Sequence, residues 1–167
     1  VDELIHKYDF SIVLARPWEG LAYRLSLNPD WALVYWDNFG MIYLRKDGKN
    51  DAAVGKYAMD IPHVNETRDV VLRDLTPQQL VSLGEALEEA VRRTPDLRVA
   101  RFRLGVLYHF VGNCGQAIPH WERLIAMDNR LGAVHVGLAD CYAKAGDLGR
   151  ARTEHALSER HSRNQHW

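Results

Sequence analysis

Apolar residues recur at two different periods along this chain, and the change from one to the other divides it. Between residues 9 and 46 they form short strand-like runs, whereas from Thr76 onward they fall on one face of successive helices. In the first segment, DFSIVLA (9–15) is a brief run rich in β-formers, and Pro17 opens a stretch with Leu21 and Leu25 at helical spacing. Asn28-Pro29-Asp30 ends that helix. Two further runs, WALVYWD (31–37) and GMIYLRK (40–46), flank Asp37-Asn38-Phe39-Gly40 and predict a hairpin. With the amphipathic start at Val1, Leu4, Ile5 and Tyr8, the segment reads helix–β–α–β–β. Its first two strands are expected to run parallel, because a helix makes the crossover between them.

Residues 47–75 carry the weakest pattern. They are expected to form a partly ordered linker, with a short helix from Asp51 to Met59 and a surface connector over Ile61–Thr67. Thr76-Pro77-Gln78-Gln79 is a helix start: a threonine cap, a proline at the first helical position, and a glutamine three residues after the cap to reach back. The predicted organisation is α+β. A small α/β unit spans 1–46, the linker 47–75, helices 76–160, and a tail expected to fray 161–167.

Within the helical part, 34 residues separate Leu104 from Leu138, Gly105 from Ala139, Tyr108 from Tyr142, Gly112 from Gly146, Gly115 from Gly149 and Ala117 from Ala151. Small residues, an aromatic and a helix-breaking glycine at this period mark a helix–turn–helix unit stacked on its own copy. The register resembles the tetratricopeptide repeat. Leu104, Gly105, Tyr108, Gly112, Ala117 and Trp121 take that family's positions in a first full unit (98–131), and Leu138, Ala139, Tyr142, Gly146 and Ala151 in a second (132–160). Leu83, Leu87, Ala90 and Pro95 match the second helix of a partial unit (76–97). Leu124 and His155 depart from the pattern, standing where a small residue and a large aromatic belong, and Asn129 replaces a terminal proline. The resemblance implies an all-α stack of helical hairpins that serves as a non-catalytic protein- or peptide-binding module.

In such repeats the first helices line an inner groove. This assigns partner binding to Phe102, Arg103, Val106, His109 and Phe110 in the first unit, and to Val136, Asp140 and Lys144 in the second. The mixture suits a partner segment with apolar side chains, oriented by Arg103, Asp140 and Lys144. Phe102 and Val106 stand where the carboxylate-clamp subset of the family has lysine and asparagine, so capture of a terminal carboxylate is not expected. A competing reading buries Phe102 and Phe110 against the N-terminal segment and leaves no groove.

The N-terminal segment, with Lys7 to Leu14, a short helix, Trp31 to Asp37 and Met41 to Arg45, is similar to a second family. It looks like the small domain that follows the membrane spans of bacterial multi-pass proteins related to protein mannosyltransferases. That resemblance implies the C-terminal, extracytoplasmic part of a larger membrane-embedded protein of glycosyltransferase type, a cytoplasmic location being the alternative. The acidic catalytic residues of that family lie in loops between membrane spans, and nothing here corresponds to them, so this chain is not expected to be an enzyme. The alternative function is an accessory domain that contacts the glycan or another substrate of such a transferase. Trp31, Tyr35, Trp36 and Tyr43 are then the candidate stacking aromatics, although alternation puts Tyr35 and Trp36 on opposite faces of a strand.

Charge narrows the partners. Lys+Arg 21 against Asp+Glu 22 gives a formal net charge of -1 over 167 residues. This leaves no basic excess for a phosphate backbone, and nucleic acid is not an expected partner. No apolar run approaches the roughly 20 residues of a membrane span, and the N-terminus lacks the charged and apolar regions of a signal peptide. A chain that opens on Val1 in mid-pattern reads as a piece of a larger protein. The 8 histidines include His109, His120, His135 and His155, placed on different helices with no paired ligand spacing, so solvated or locally hydrogen-bonded histidines are expected and neither metal nor cofactor. Asp37, Asp60, Glu66 and Asp74 are dispersed acids that form no catalytic set. Only Cys114 and Cys141 occur. A stacked pair of units brings them near each other, which makes a bridge conceivable, while the core position of Cys141 beside Tyr142 favours a buried free thiol.

Overall fold

The computed structural model describes residues 5, 7–17, 19–61 and 70–163. The expected start at Val1 and Leu4, the connector from Pro62 to Thr67 and residues 164–167 lie outside the described residues. The chain divides into two compact units, one of residues 1–71 and 81–97, the other of residues 72–80 and 98–167.

The first unit is built on a three-stranded antiparallel sheet of β1 (Ile12–Ala15), β2 (Trp31–Trp36) and β3 (Met41–Arg45), in the order β1-β3-β2. The predicted hairpin is present and closes on Asp37, whose carboxylate accepts the N–H groups of Phe39 and Gly40 at 2.7 Å each. The Phe39 N–H first, then the Tyr35 hydroxyl, hold this carboxyl below the usual range. β1 and β2 point the same way, as the crossover through α1 (Gly20–Leu27) requires, but they do not pair. β3 lies between them, antiparallel to both. A helical crossover fixes the relative direction of two strands and leaves open which strand lies beside which.

Trp31, Ala32 and Leu33 of β2 and Met41, Tyr43 and Leu44 of β3 are buried, and the Tyr43 hydroxyl donates to the Ala22 carbonyl of α1 at 3.2 Å. An irregularity between Leu33 and Tyr35 shifts the register, so that Trp36 is buried opposite Met41 while Tyr35 faces solvent. The short helix expected after Asp51 is α2 (Asp51–Tyr57). Beyond it, the Met59 N–H donates to the Leu33 carbonyl at 2.8 Å.

After α3 (Val70–Asp74), α4 (Pro77–Arg93) begins with the predicted capping box. The Thr76 N–H donates to Gln79 Oε1 at 2.8 Å and the Gln79 N–H to Thr76 Oγ1 at 3.3 Å. The repeat register groups 76–97 with the helices that follow, yet residues 81–97 belong to the unit that holds the sheet. The Thr94 hydroxyl donates to the Trp36 carbonyl at 3.1 Å, Asn38 Nδ2 to the Asp96 carbonyl at 2.8 Å, and Arg93 to the Tyr57 carbonyl at 2.7 Å.

The second unit contains α5 (Arg98–Phe110), α6 (Cys114–Met127), α7 (Gly132–Lys144) and α8 (Leu148–Arg163). The 34-residue register returns in its hydrogen bonds. Gly112 after α5 has φ +79° and Gly146 after α7 has φ +81°, a region that favours glycine. At the first turn the Asn113 N–H reaches the Tyr108 carbonyl at 2.7 Å and the Gly112 N–H reaches the His109 carbonyl at 3.0 Å. At the second, Asp147 reaches Tyr142 at 2.9 Å and Gly146 reaches Ala143 at 3.0 Å. Both are Schellman closures. The helix that follows is capped alike, Asn113 Oδ1 accepting from the Gln116 N–H at 3.3 Å and Asp147 Oδ1 from the Arg150 N–H at 3.0 Å.

Ala117, Trp121 and Leu124 of α6 form the core of this unit with Val134, Leu138, Cys141 and Tyr142 of α7. Leu124, a departure from the repeat pattern, is fully buried there. The Trp121 indole lies against a glycine of α5 on one side and a glycine of α7 on the other. A β-carbon on Gly105 would lie 2.1 Å from its Nε1, and one on Gly137 would lie 2.3 Å from its Cη2.

Two expectations are corrected. Cys141 is not a free thiol: it is disulfide-bonded to Cys114, 27 residues away in sequence, with 5.2 Å between the Cα atoms. The packing of α6 on α7 brings the start of one helix to the end of the other, within the reach a bridge requires. Of the tail expected to fray over 161–167, residues 161–163 are helical and the rest lies outside the described residues. Ser158 is buried with its hydroxyl donating to the His155 carbonyl at 2.7 Å, and the His161 ring stacks on His135 at 5.5 Å. Among the described residues no helix is long and apolar enough to cross a membrane.

Candidate partner-binding site

α5 carries Phe102, Arg103, Val106, His109 and Phe110, and α7 carries Val136, Asp140 and Lys144. Three of these residues converge. His109 Nε2 lies 2.5 Å from Asp140 Oδ2, and Lys144 Nζ lies 2.6 Å from the same oxygen. Lys144 stands one turn beyond Asp140, so that pairing is local to α7, whereas His109 crosses from α5. The bond from Lys144, then that from His109, hold the Asp140 carboxyl below the usual carboxylate range. The His109 ring also rests against Trp121 with 5.6 Å between centroids, which ties the polar group to the core wedge. Gly105 and His109 meet the neighbourhoods of Gly137 and Asp140 in turn, so α5 and α7 run parallel.

The apolar candidates separate into two kinds. Phe102 and Val106 are half-buried, packed against the α6–α7 core from within their own unit. Phe110 and Val136 are open to solvent, 43% and 56% exposed. The reading that buried both phenylalanines therefore fails at Phe110. Arg103 is half-buried on α5, while Lys144 is exposed. Phe110 at the end of α5 and Val136 near the start of α7 are the exposed apolar candidates, and Asp140 between His109 and Lys144 is the fixed charge.

No protein-family model matches the sequence, and a search of the curated proteins finds no significant match.

Other features escaped the sequence. His135, one of the histidines expected to be solvated or locally hydrogen-bonded, is 1% exposed, with Nδ1 2.6 Å from Glu154 Oε2 and Nε2 2.7 Å from the Asn129 carbonyl. It ties α8 to the turn before α7. The available signal was its place beside Val134 on the core stripe of the helix. The Tyr142 hydroxyl donates to Glu122 Oε1 at 2.6 Å, and burial, then that bond, push this phenol up to about 12. A cleft of ≈ 410 Å³ runs between α7 and α8, with Val136, Ala139, Asp140 and Ala143 on one wall and Leu148, Ala151, Arg152 and His155 on the other.

In the first unit, a cleft of ≈ 370 Å³ beside Trp31 is lined in part by Asn28, Lys46 and Asp60. The stacking candidates Trp31, Trp36 and Tyr43 are buried; Tyr35 is exposed and its hydroxyl donates to Asp37 at 2.7 Å. Among the described residues no group of three or more His, Cys, Asp or Glu side chains is placed to hold a metal ion.

Proposed function

We propose that the helical unit is a non-catalytic module of tetratricopeptide type that binds a protein or peptide segment along the inward face of α5 and α7. The exposure of Phe110 and Val136 on parallel helices, beside an Asp140 held in place by His109 and Lys144, is the observation that carries this reading. Exposed apolar side chains together with a fixed charge let a bound segment gain affinity from its apolar side chains and direction from its polar ones. The matching turn closures at Gly112 and Gly146 support treating α5–α6 and α7–α8 as two copies of one unit.

The Cys114–Cys141 bridge supports an oxidising, extracytoplasmic setting, in keeping with a part of a larger membrane-embedded protein. The alternative, contact with a glycan through the sheet, needs aromatic faces in solvent. Burial of Trp31, Trp36 and Tyr43 counts against it.

Selection from a displayed peptide library, with counter-selection on a Phe110→Ser/Val136→Ser double variant, tests the proposal. Peptides that lose about tenfold or more in affinity on the double variant support it. Peptides that bind both forms equally, or glycan binding lost on Tyr35→Ala and untouched by the double variant, refute it.

A further inference from the structure

The cleft between α7 and α8 repeats, 34 residues on, a surface that the molecule itself fills. Its α7 wall corresponds to Phe102, Gly105, Val106 and His109, and its α8 wall to Cys114, Ala117, Ile118 and Trp121. All of these earlier residues engage α7 or the core that α7 completes. Phe102, Val106, Cys114 and Ile118 pack against the cluster that holds Val134, Leu138 and Tyr142, and Ala117 is part of it. Gly105 abuts Trp121, which abuts Gly137; His109 meets Asp140; Cys114 is bonded to Cys141. The seat that α5 and α6 make for a helix is thus made again by α7 and α8. There it is open, with Val136 and Leu148 each 56% exposed.

The open seat differs from the filled one in ways that describe its occupant. Phe102, His109 and Trp121 are replaced by Val136, Ala143 and His155, so the bulk that the first seat pushes toward α7 is missing from the second. A helix entering there has to bring its own large side chain where α7 brings Gly137. Copies of α7 would leave the seat hollow, which argues against a second copy of this chain. Ile118 is replaced by Arg152, which has no ion-pair partner among the described residues and offers a cation at the rim.

We propose that this seat receives an amphipathic helix of a separate protein, with a large apolar residue directed at Ala139 and Ala143 and an acidic residue directed at Arg152. This goes beyond the inward-face reading; Val136 and Asp140 border both surfaces, so the test rests on Leu148 and Arg152, which belong to the seat alone.

The probe is a stapled, fluorescent peptide of the α7 sequence carrying Gly137→Leu for bulk and Cys141→Glu for charge. Cys141 meets Cys114, one turn from Ile118, so a glutamate at 141 in the docked peptide comes within reach of Arg152. Saturable binding is expected, weakened about tenfold by Arg152→Glu and by Leu148→Asp, and unchanged by Phe110→Ser. Arg152 and Leu148 are exposed, and circular dichroism of each variant checks that the fold is retained. A parent peptide that keeps Gly137 is expected to bind about tenfold more weakly. Any of these results overturns the proposal: no saturable binding, binding that ignores Arg152→Glu, or binding lost on Phe110→Ser. Self-association in sedimentation that Leu148→Asp abolishes also overturns it, since a second copy then fills the seat.

Discussion

The indole of Trp121 runs so close to Gly137 that a β-carbon on that glycine would come within 2.3 Å of the ring. Gly105 closes the other side as tightly, so the ring cannot step aside. A methyl group at either position overpacks the core at a cost of about 1–3 kcal/mol, against a recovery of up to ~1 kcal/mol from alanine's helix propensity. Gly105→Ala and Gly137→Ala are each expected to lower the urea midpoint. Gly149→Ala, where the nearest atom is 3.6 Å away, is expected to raise it. Denaturation of the three variants checks the contrast, and stabilisation by all three would sink it.

The bridge between Cys114 and Cys141 closes a long loop across the α6–α7 core. Chain entropy for a loop of this length gives a stabilisation on the order of 3 kcal/mol. Urea unfolding with and without reductant is expected to show that loss, and the Cys114→Ser/Cys141→Ser variant is expected to match the reduced protein. Equal midpoints in both conditions would show that the bridge constrains nothing.

Asp140 is held below its unfolded value of 3.8 by Lys144 and then by His109. Folding therefore favours its ionised form. The resulting stability is present above about pH 4 and is lost as pH falls through the folded value. The side chain is 44% exposed, so solvent screening keeps the contribution small. Carboxyl titration by NMR is expected to place Asp140 below 3.8, to move it up in Lys144→Met, and further up when His109→Ala is added. A titration that stays put in the double variant would contradict the convergence of the three residues.

The core of the second unit also depends on His135. With Glu154 at one ring nitrogen and the Asn129 carbonyl at the other, His135→Leu removes two bonds from a buried position. A loss of about 1–3 kcal/mol is expected. Glu154→Gln keeps a hydrogen-bonding partner and is expected to cost less. Thermal unfolding of both variants orders them, and a neutral His135→Leu would refute the tie.

How much of this was legible in the sequence follows from the range of the interactions involved. The Asp37 turn, the Thr76 cap and the two left-handed glycines are set by residues within a few positions of each other, so local chemistry announces them. The order of the sheet depends on which edge of the hairpin accepts β1, and a crossover helix does not specify that. The bridge and the His135 tie depend on α6, α7 and α8 being packed, so two cysteines and a polar residue on an apolar stripe were open to other readings. The candidate inward positions were assigned because a 34-residue period names them directly. The seat between α7 and α8 was not, because its meaning rests on α7 filling the seat before it.

Chemical-shift mapping of a library-selected peptide on the isotopically labelled chain tests the central claim most directly. The account predicts that the amides of Phe110, Val136, Asp140 and Lys144 shift together in a saturable titration, and that Phe110→Ser weakens the interaction about tenfold. Shifts confined to the β1–β3 sheet, with those four amides silent, would contradict it.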